Sequence, residues 1–121
     1  MRYFMAIIAP PDFKPETVPQ GLIDGMGPWM EKHLASGALI STGGLAPDSQ
    51  GRRLLGQSGQ VIPTDGPFAE SKEVIGGYAV FEAPDLDAVT RIAEEFLRLH
   101  VDNDVNGFSV ELRPIAGGAN Y

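Results

Sequence analysis

A turn of nearly fixed shape, feeding straight into a buried strand, constrains this chain more than any other stretch. It is Asp65-Gly66-Pro67-Phe68, followed through Glu70-Ser71-Lys72-Glu73 by Val74-Ile75-Gly76-Gly77-Tyr78-Ala79-Val80-Phe81. The Asp65 side chain can cap its own backbone, Gly66 tolerates positive φ, and Pro67 fixes φ while removing a donor. Phe68 is therefore a large apolar group delivered by a rigid corner. The run from Val74 reads as a buried strand. Its glycine pair at Gly76-Gly77 signals a bulge or a close backbone approach.

The 121 residues make one domain, spanning 1–121, with material for a single core. Nine Lys and Arg against sixteen Asp and Glu give a net charge of -7. That balance argues against nucleic acid, whose binding needs a basic stripe, and against an anionic membrane surface. Cysteine is absent, which removes disulfides, thiolate metal sites and cysteine nucleophiles. Met1 to Ala9 is apolar but short, and Pro10-Pro11-Asp12 ends it without a cleavage pattern, so a first strand and a cytoplasmic location are expected.

Taken in order, Tyr3 to Ala9 predicts a central strand and Pro10 to Pro19 a loop. Leu22, Ile23, Met26, Trp29, Met30 and Leu34 recur at helical spacing, interrupted by Gly25, Gly27 and Pro28. The pattern predicts a kinked or two-piece helix, regular from about Pro28 and ended by Gly37. Ala38–Leu45 reads as a strand; Arg52–Gly56 and Gln60–Thr64 read as a hairpin joined at Gln57-Ser58-Gly59. After the strand Val74–Glu82, Pro84-Asp85 caps a helix whose apolar stripe is Leu86, Val89, Ile92, Ala93, Phe96 and Leu97. Phe108–Ile115 alternates as a last strand.

The order β-α-β-hairpin-β-α-β predicts an α+β, ferredoxin-like sandwich: an antiparallel sheet with two helices on one face. Phe108, Val110 and Leu112 belong beneath the helices, which turns Ser109, Glu111 and Arg113 to the other face. Beside Tyr78 and strand one, that face is half apolar and half polar, and it should be covered.

These features resemble the DGPF family of YCII-related proteins, whose naming motif is Asp65 to Phe68 here. The Arg2-Tyr3 start, the Ser36-Gly37 turn, Ala83-Pro84-Asp85-Leu86-Asp87 and Val110-Glu111-Leu112-Arg113-Pro114 carry the same likeness. The resemblance implies a homodimer in which a second sheet covers the first, forming a dimeric α/β barrel with clefts at the interface. It implies a small-molecule enzyme or ligand binder whose reaction is not specified. A non-catalytic regulatory or interaction protein, of the kind found beside alternative sigma factors, is the alternative, and an oxygen-using monooxygenase a third.

Within such a cleft, Arg113 would hold a polar end and Tyr78 a flat or hydroxyl-bearing end, with Glu111, Phe68 and Lys72 as further ligand contacts. Asp65 has two readings: an acid or base at the mouth, partnered by Lys72 or Arg113, or simply a turn cap. Glu111 and Arg113 can equally be read as an ordinary ion pair, and Arg52-Arg53 as a solvated hairpin edge. Some members of the family are thought to use a His-Asp pair. The position of that His falls near Met26, His33 lies about two turns later and His100 just past the second helix; Asp102 or Asp104 matches the acidic partner, so only half of the dyad is present. Asp102-Asn103-Asp104-Val105-Asn106-Gly107 matches the first half of a calcium loop, but Arg113 stands where the bidentate Glu belongs. No cofactor and no metal are expected.

Overall fold

The computed structural model describes residues 1–68 and 74–119. Six strands and two helices follow one another: β1 (Arg2–Ala9), α1 (Gln20–Ala35), β2 (Leu39–Gly44), β3 (Arg52–Gln57), β4 (Gln60–Asp65), β5 (Val74–Glu82), α2 (Leu86–Asp102) and β6 (Ser109–Pro114). Strands β2-β5-β1-β6 form one antiparallel sheet, and β3-β4 pair as a separate ribbon. With the ribbon set aside, this is the strand order of the expected ferredoxin-like sandwich.

Alternation along the central strand decides the two faces. Tyr3 and Met5 are buried and Ile7 packs against them, joined on the neighbouring strands by Ala79, Phe81, Val110 and Leu112. Trp29 from α1 and Val89, Ala93 and Phe96 from α2 close this core. Phe81 is fully buried and sits edge-on to Trp29 at 6.3 Å. Burying a side chain of that size contributes about 1.5–3 kcal/mol. The even-numbered residues of β1 face the other way.

Local chemistry accounts for most element ends. Asp85 accepts the Ala88 N–H at 2.8 Å and starts α2. Gly37, at φ 83, ends α1. Ser58 and Gly59, at φ 52 and 74, form the two-residue turn of the β3-β4 hairpin.

Three expectations are corrected. First, α1 is one continuous helix with Pro28 inside it, which overturns the two-piece form and the regular start near Pro28. Proline removes one backbone hydrogen bond, but Leu22 and Trp29 are buried on either side of it, so both halves are held against the core. Second, α2 runs to Asp102, so His100 lies within the helix rather than past it. Its Nδ1 is 2.9 Å from the Phe96 carbonyl, which can only accept, so this nitrogen carries the proton. Third, the last strand starts at Ser109; Phe108 precedes it, with its ring against Phe13 and His100, both at 4.8 Å.

The glycine pair does mark a bulge. Ile7 pairs with Gly77 and Ile8 with Ile75, leaving Gly76 as the extra residue. The close approach belongs to its neighbour: a Cβ on Gly77 would lie 2.9 Å from the Gly43 carbonyl oxygen, whereas one on Gly76 meets only the Ala9 methyl at 3.5 Å. Among the described residues no helix is long and apolar enough to cross a membrane. Gly77→Ala is expected to cost ~1–3 kcal/mol through overpacking, and Gly76→Ala clearly less. Equal denaturant midpoints for the two variants would contradict this packing.

Candidate functional site

The face of the sheet turned away from the helices is built in rungs. One runs Ser41–Val80–Phe4–Arg113 and the next Gly43–Tyr78–Ala6–Glu111. Neighbouring strands lie about 4.8 Å apart, so Tyr78 and Glu111 flank a single buried alanine, with Arg113 one rung along. The bulge sits before Tyr78 in sequence, so it changes the facing of Val74 and Ile75 and leaves Tyr78 on the open face. Glycine at position 43 makes room for the tyrosine: a Cβ there would lie 3.0 Å from Tyr78 Cε1. The Tyr78 and Phe4 rings are nearly parallel, 5° apart, with centroids 6.5 Å from each other. Thr42 Oγ1 donates to the Tyr78 carbonyl at 2.9 Å and pins the backbone beneath the ring.

Arg113 and Glu111 are both exposed, and among the described residues neither has an ion-pair partner. The ordinary pair between them is therefore not formed. Arg2 and Glu82, opposite each other at the end of the same face, approach to 4.0 Å. The side-chain charges of Arg2 and Arg113 thus match those of Glu82 and Glu111, and the amino terminus adds a positive charge 2.6 Å from Glu82, on a chain that carries -7.

The Asp-Gly-Pro-Phe corner is arranged differently from its sequence reading. Asp65 does not cap the turn: it is the last residue of β4, and its Oδ1 accepts from Arg52 Nε at 2.7 Å in open solvent. Phe68 is half-buried under the Arg53 guanidinium, 4.4 Å from the ring centre. Arg52 and Arg53 are thus engaged with the corner. Neither Asp65 nor Phe68 belongs to the strands that carry Tyr78 and Arg113, and Lys72 lies outside the described residues.

What the corner holds is Asp48. The Phe68 N–H donates to Asp48 Oδ2 at 3.1 Å, and the Gly51 N–H donates to the Asp48 carbonyl at 2.9 Å. A Cβ on Gly66 would collide with that same carbonyl, so glycine is required there by contact. Sequence reasoning missed Asp48 because the contact joins segments about twenty residues apart with no periodic signal between them.

The histidines are placed apart from any dyad. His33 is buried on α1, with Nε2 3.1 Å from Glu95 Oε1 on α2, and Lys32 Nζ reaches the same oxygen at 3.1 Å. Asp102 ends α2, and Asp104, at φ 60, lies in the turn after it. Among the described residues no cluster of His, Cys, Asp and Glu could hold a metal ion.

Burial pushes the Glu95 carboxyl up, but hydrogen bonds from Lys32 and His33 outweigh it and hold the group below its ordinary 4.5. A carboxyl lowered by folding contributes stability above its unfolded value, and that contribution is lost as pH falls through the lowered one. Glu95→Gln should therefore cost at most about 1 kcal/mol near neutrality, given its exposure. The gap to the parent should close as the pH drops below 4.5. A gap that widens in acid would contradict this account.

Residues 1–96 match the sequence profile described as YCII-related domain. An uncharacterised protein of Rhizobium meliloti (strain 1021) is 33% identical over 85 residues, covering 70% of this chain and 65% of that protein. The chain thus spans less than two thirds of this relative's length, and the profile match ends before β6, which carries Glu111 and Arg113. With the profile covering most of the residues and the corner and sheet in place, the chain belongs to the family of YCII-related domains.

Proposed function

We propose that two copies of this chain pair through their open sheet faces and bind a small molecule in the cleft between them. The observation that carries this reading is the composition of that face. It joins the Phe4–Tyr78 aromatic plate and the exposed Ile75 to a balanced set of charges in which Arg113 has no ion-pair partner among the described residues. An apolar surface of this kind is left wet only at a cost. A face whose side-chain charges balance can meet its own copy without the repulsion that the rest of a -7 chain would impose.

In the cleft, Arg113 presents a planar fork of donors to a carboxylate or phenolate, and Tyr78 offers a flat ring with a polar tip. Asp65, held by Arg52 on its own ribbon, is assigned no proton transfer. The reading is therefore of an aromatic-anion binder, with any chemistry supplied by groups near that plate.

Sedimentation tests the pairing. Arg113→Glu should weaken the dimer by about tenfold or more, because each copy then brings excess negative charge to a desolvated face. Arg91→Glu changes the total charge equally on the outer helix and should leave the dimer intact. Equal effects, or a monomer at micromolar concentration for the parent, would overturn the pairing. For the ligand, titration with an aromatic carboxylate such as salicylate should show weaker binding to Arg113→Ala than to Arg91→Ala; similar losses would mean general electrostatics rather than a site.

A further inference from the structure

A second apolar recess lies elsewhere, at the end of the sheet where β5 begins. There the loops after β1 and β2 enclose a cleft of about 420 Å³. That size falls within the ~300–1,000 Å³ range of small-molecule sites. Its walls are stiff: Pro10, Pro11 and Pro15 come from one loop and Pro47 from the other, each with φ fixed by its ring. Phe13 and Phe108, edge-to-face at 4.8 Å, provide flat aromatic lining, and the Gly76 bulge with Ile75 forms a further wall. The Leu45 N–H donates to the Gly76 carbonyl at 3.0 Å and ties the second loop to the bulge.

Among the described residues, Asp48 is the single charged member of this otherwise apolar lining. One carboxylate oxygen accepts the Phe68 N–H; among the described residues the other has no donor, and no cation lies within ion-pair distance. Its main chain is fixed too, by the Gly51 N–H and by the contact that makes Gly66 obligatory. The corner that dominates the sequence thus fixes Asp48, a residue lining the apolar cleft, through both its carboxylate and its main chain. A carboxylate oxygen with spare acceptor capacity selects a cationic donor, and the charge of -7 on the chain draws cations in.

We infer that this cleft binds a small amphiphile with a flat apolar body and an ammonium or amidinium group, the body against Phe13 and Phe108 and the cation on Asp48. The site adjoins the proposed dimer face at Ile75 but is centred on Phe13, Phe108 and Asp48 and prefers the opposite charge, so the two readings fail separately.

The test is an NMR titration of the full chain with phenethylammonium, using phenethyl alcohol and hydrocinnamate as neutral and anionic ligands of similar size. Saturable shifts should centre on Phe13, Asp48 and Phe108, with phenethylammonium binding about tenfold tighter than hydrocinnamate. Asp48→Asn keeps an oxygen for the Phe68 N–H and so preserves the corner. It should lose about tenfold in phenethylammonium affinity while leaving phenethyl alcohol unchanged. Ala46→Phe, which narrows the cleft from an exposed position, should abolish binding of both. Equal affinity for hydrocinnamate, undiminished phenethylammonium binding in Asp48→Asn, shifts centred on Tyr78 and Arg113, or no saturable binding at millimolar concentration would each overturn the inference.

Discussion

Coverage on one side is the constraint on which this structure depends. A four-stranded sheet has two faces, and both helices pack on the same one, against Tyr3, Met5 and Phe81. That choice uses the odd residues of β1 for the core and commits its even residues, Phe4, Ala6 and Ile8, to the other face. The registers of β5 and β6 then follow, because each must place its own apolar set under the helices. Tyr78, Glu111 and Arg113 are where they are as a consequence of that core. The proposed dimer is an answer to the same constraint, since nothing else among the described residues is placed to shield that face.

The ribbon β3-β4 and the corner after it stand outside this scheme. All twelve residues of the ribbon are exposed, including Leu54, Leu55, Val61 and Ile62. A two-stranded hairpin is marginal by itself, and here its base is closed by the Arg52–Asp65 pair, the Gly66 N–H to the Gly51 carbonyl, and Arg53 over Phe68. The corner therefore ties the ribbon to the Asp48 loop. Its four residues act as a junction, and their best-defined product is the position of one carboxylate.

Much of this was legible in the sequence. Alternation along β6 and the apolar stripe of α2 indicated the facing of Arg113 and of the second helix, and Asp85 announced its cap. The family likeness also came from short motifs that the matching profile supports over residues 1–96. What escaped were non-local effects. Pro28 reads locally as a helix breaker, yet tertiary burial of Leu22 and Trp29 carries one helix through it. Gly76 and Gly77 look alike in sequence, but only the register shows that one is the bulge and the other the close contact. Asp65 looked like a turn cap because its partner, Arg52, lies across a hairpin. Asp48 gave no signal at all, being defined by what Gly66 and Phe68 do to it from another segment.

The central claim is that the open face meets its own copy. Isotope-filtered NOE spectroscopy on a mixture of carbon-13-labelled and unlabelled chains tests it most directly, because only contacts between copies survive the filter. The account predicts intermolecular cross-peaks to the methyls of Ile8, Ile75 and Val80 and to the Phe4 and Tyr78 rings. Cross-peaks confined to helix methyls such as Ile23 and Leu34, or none at concentrations where the chain sediments as a dimer, would contradict it.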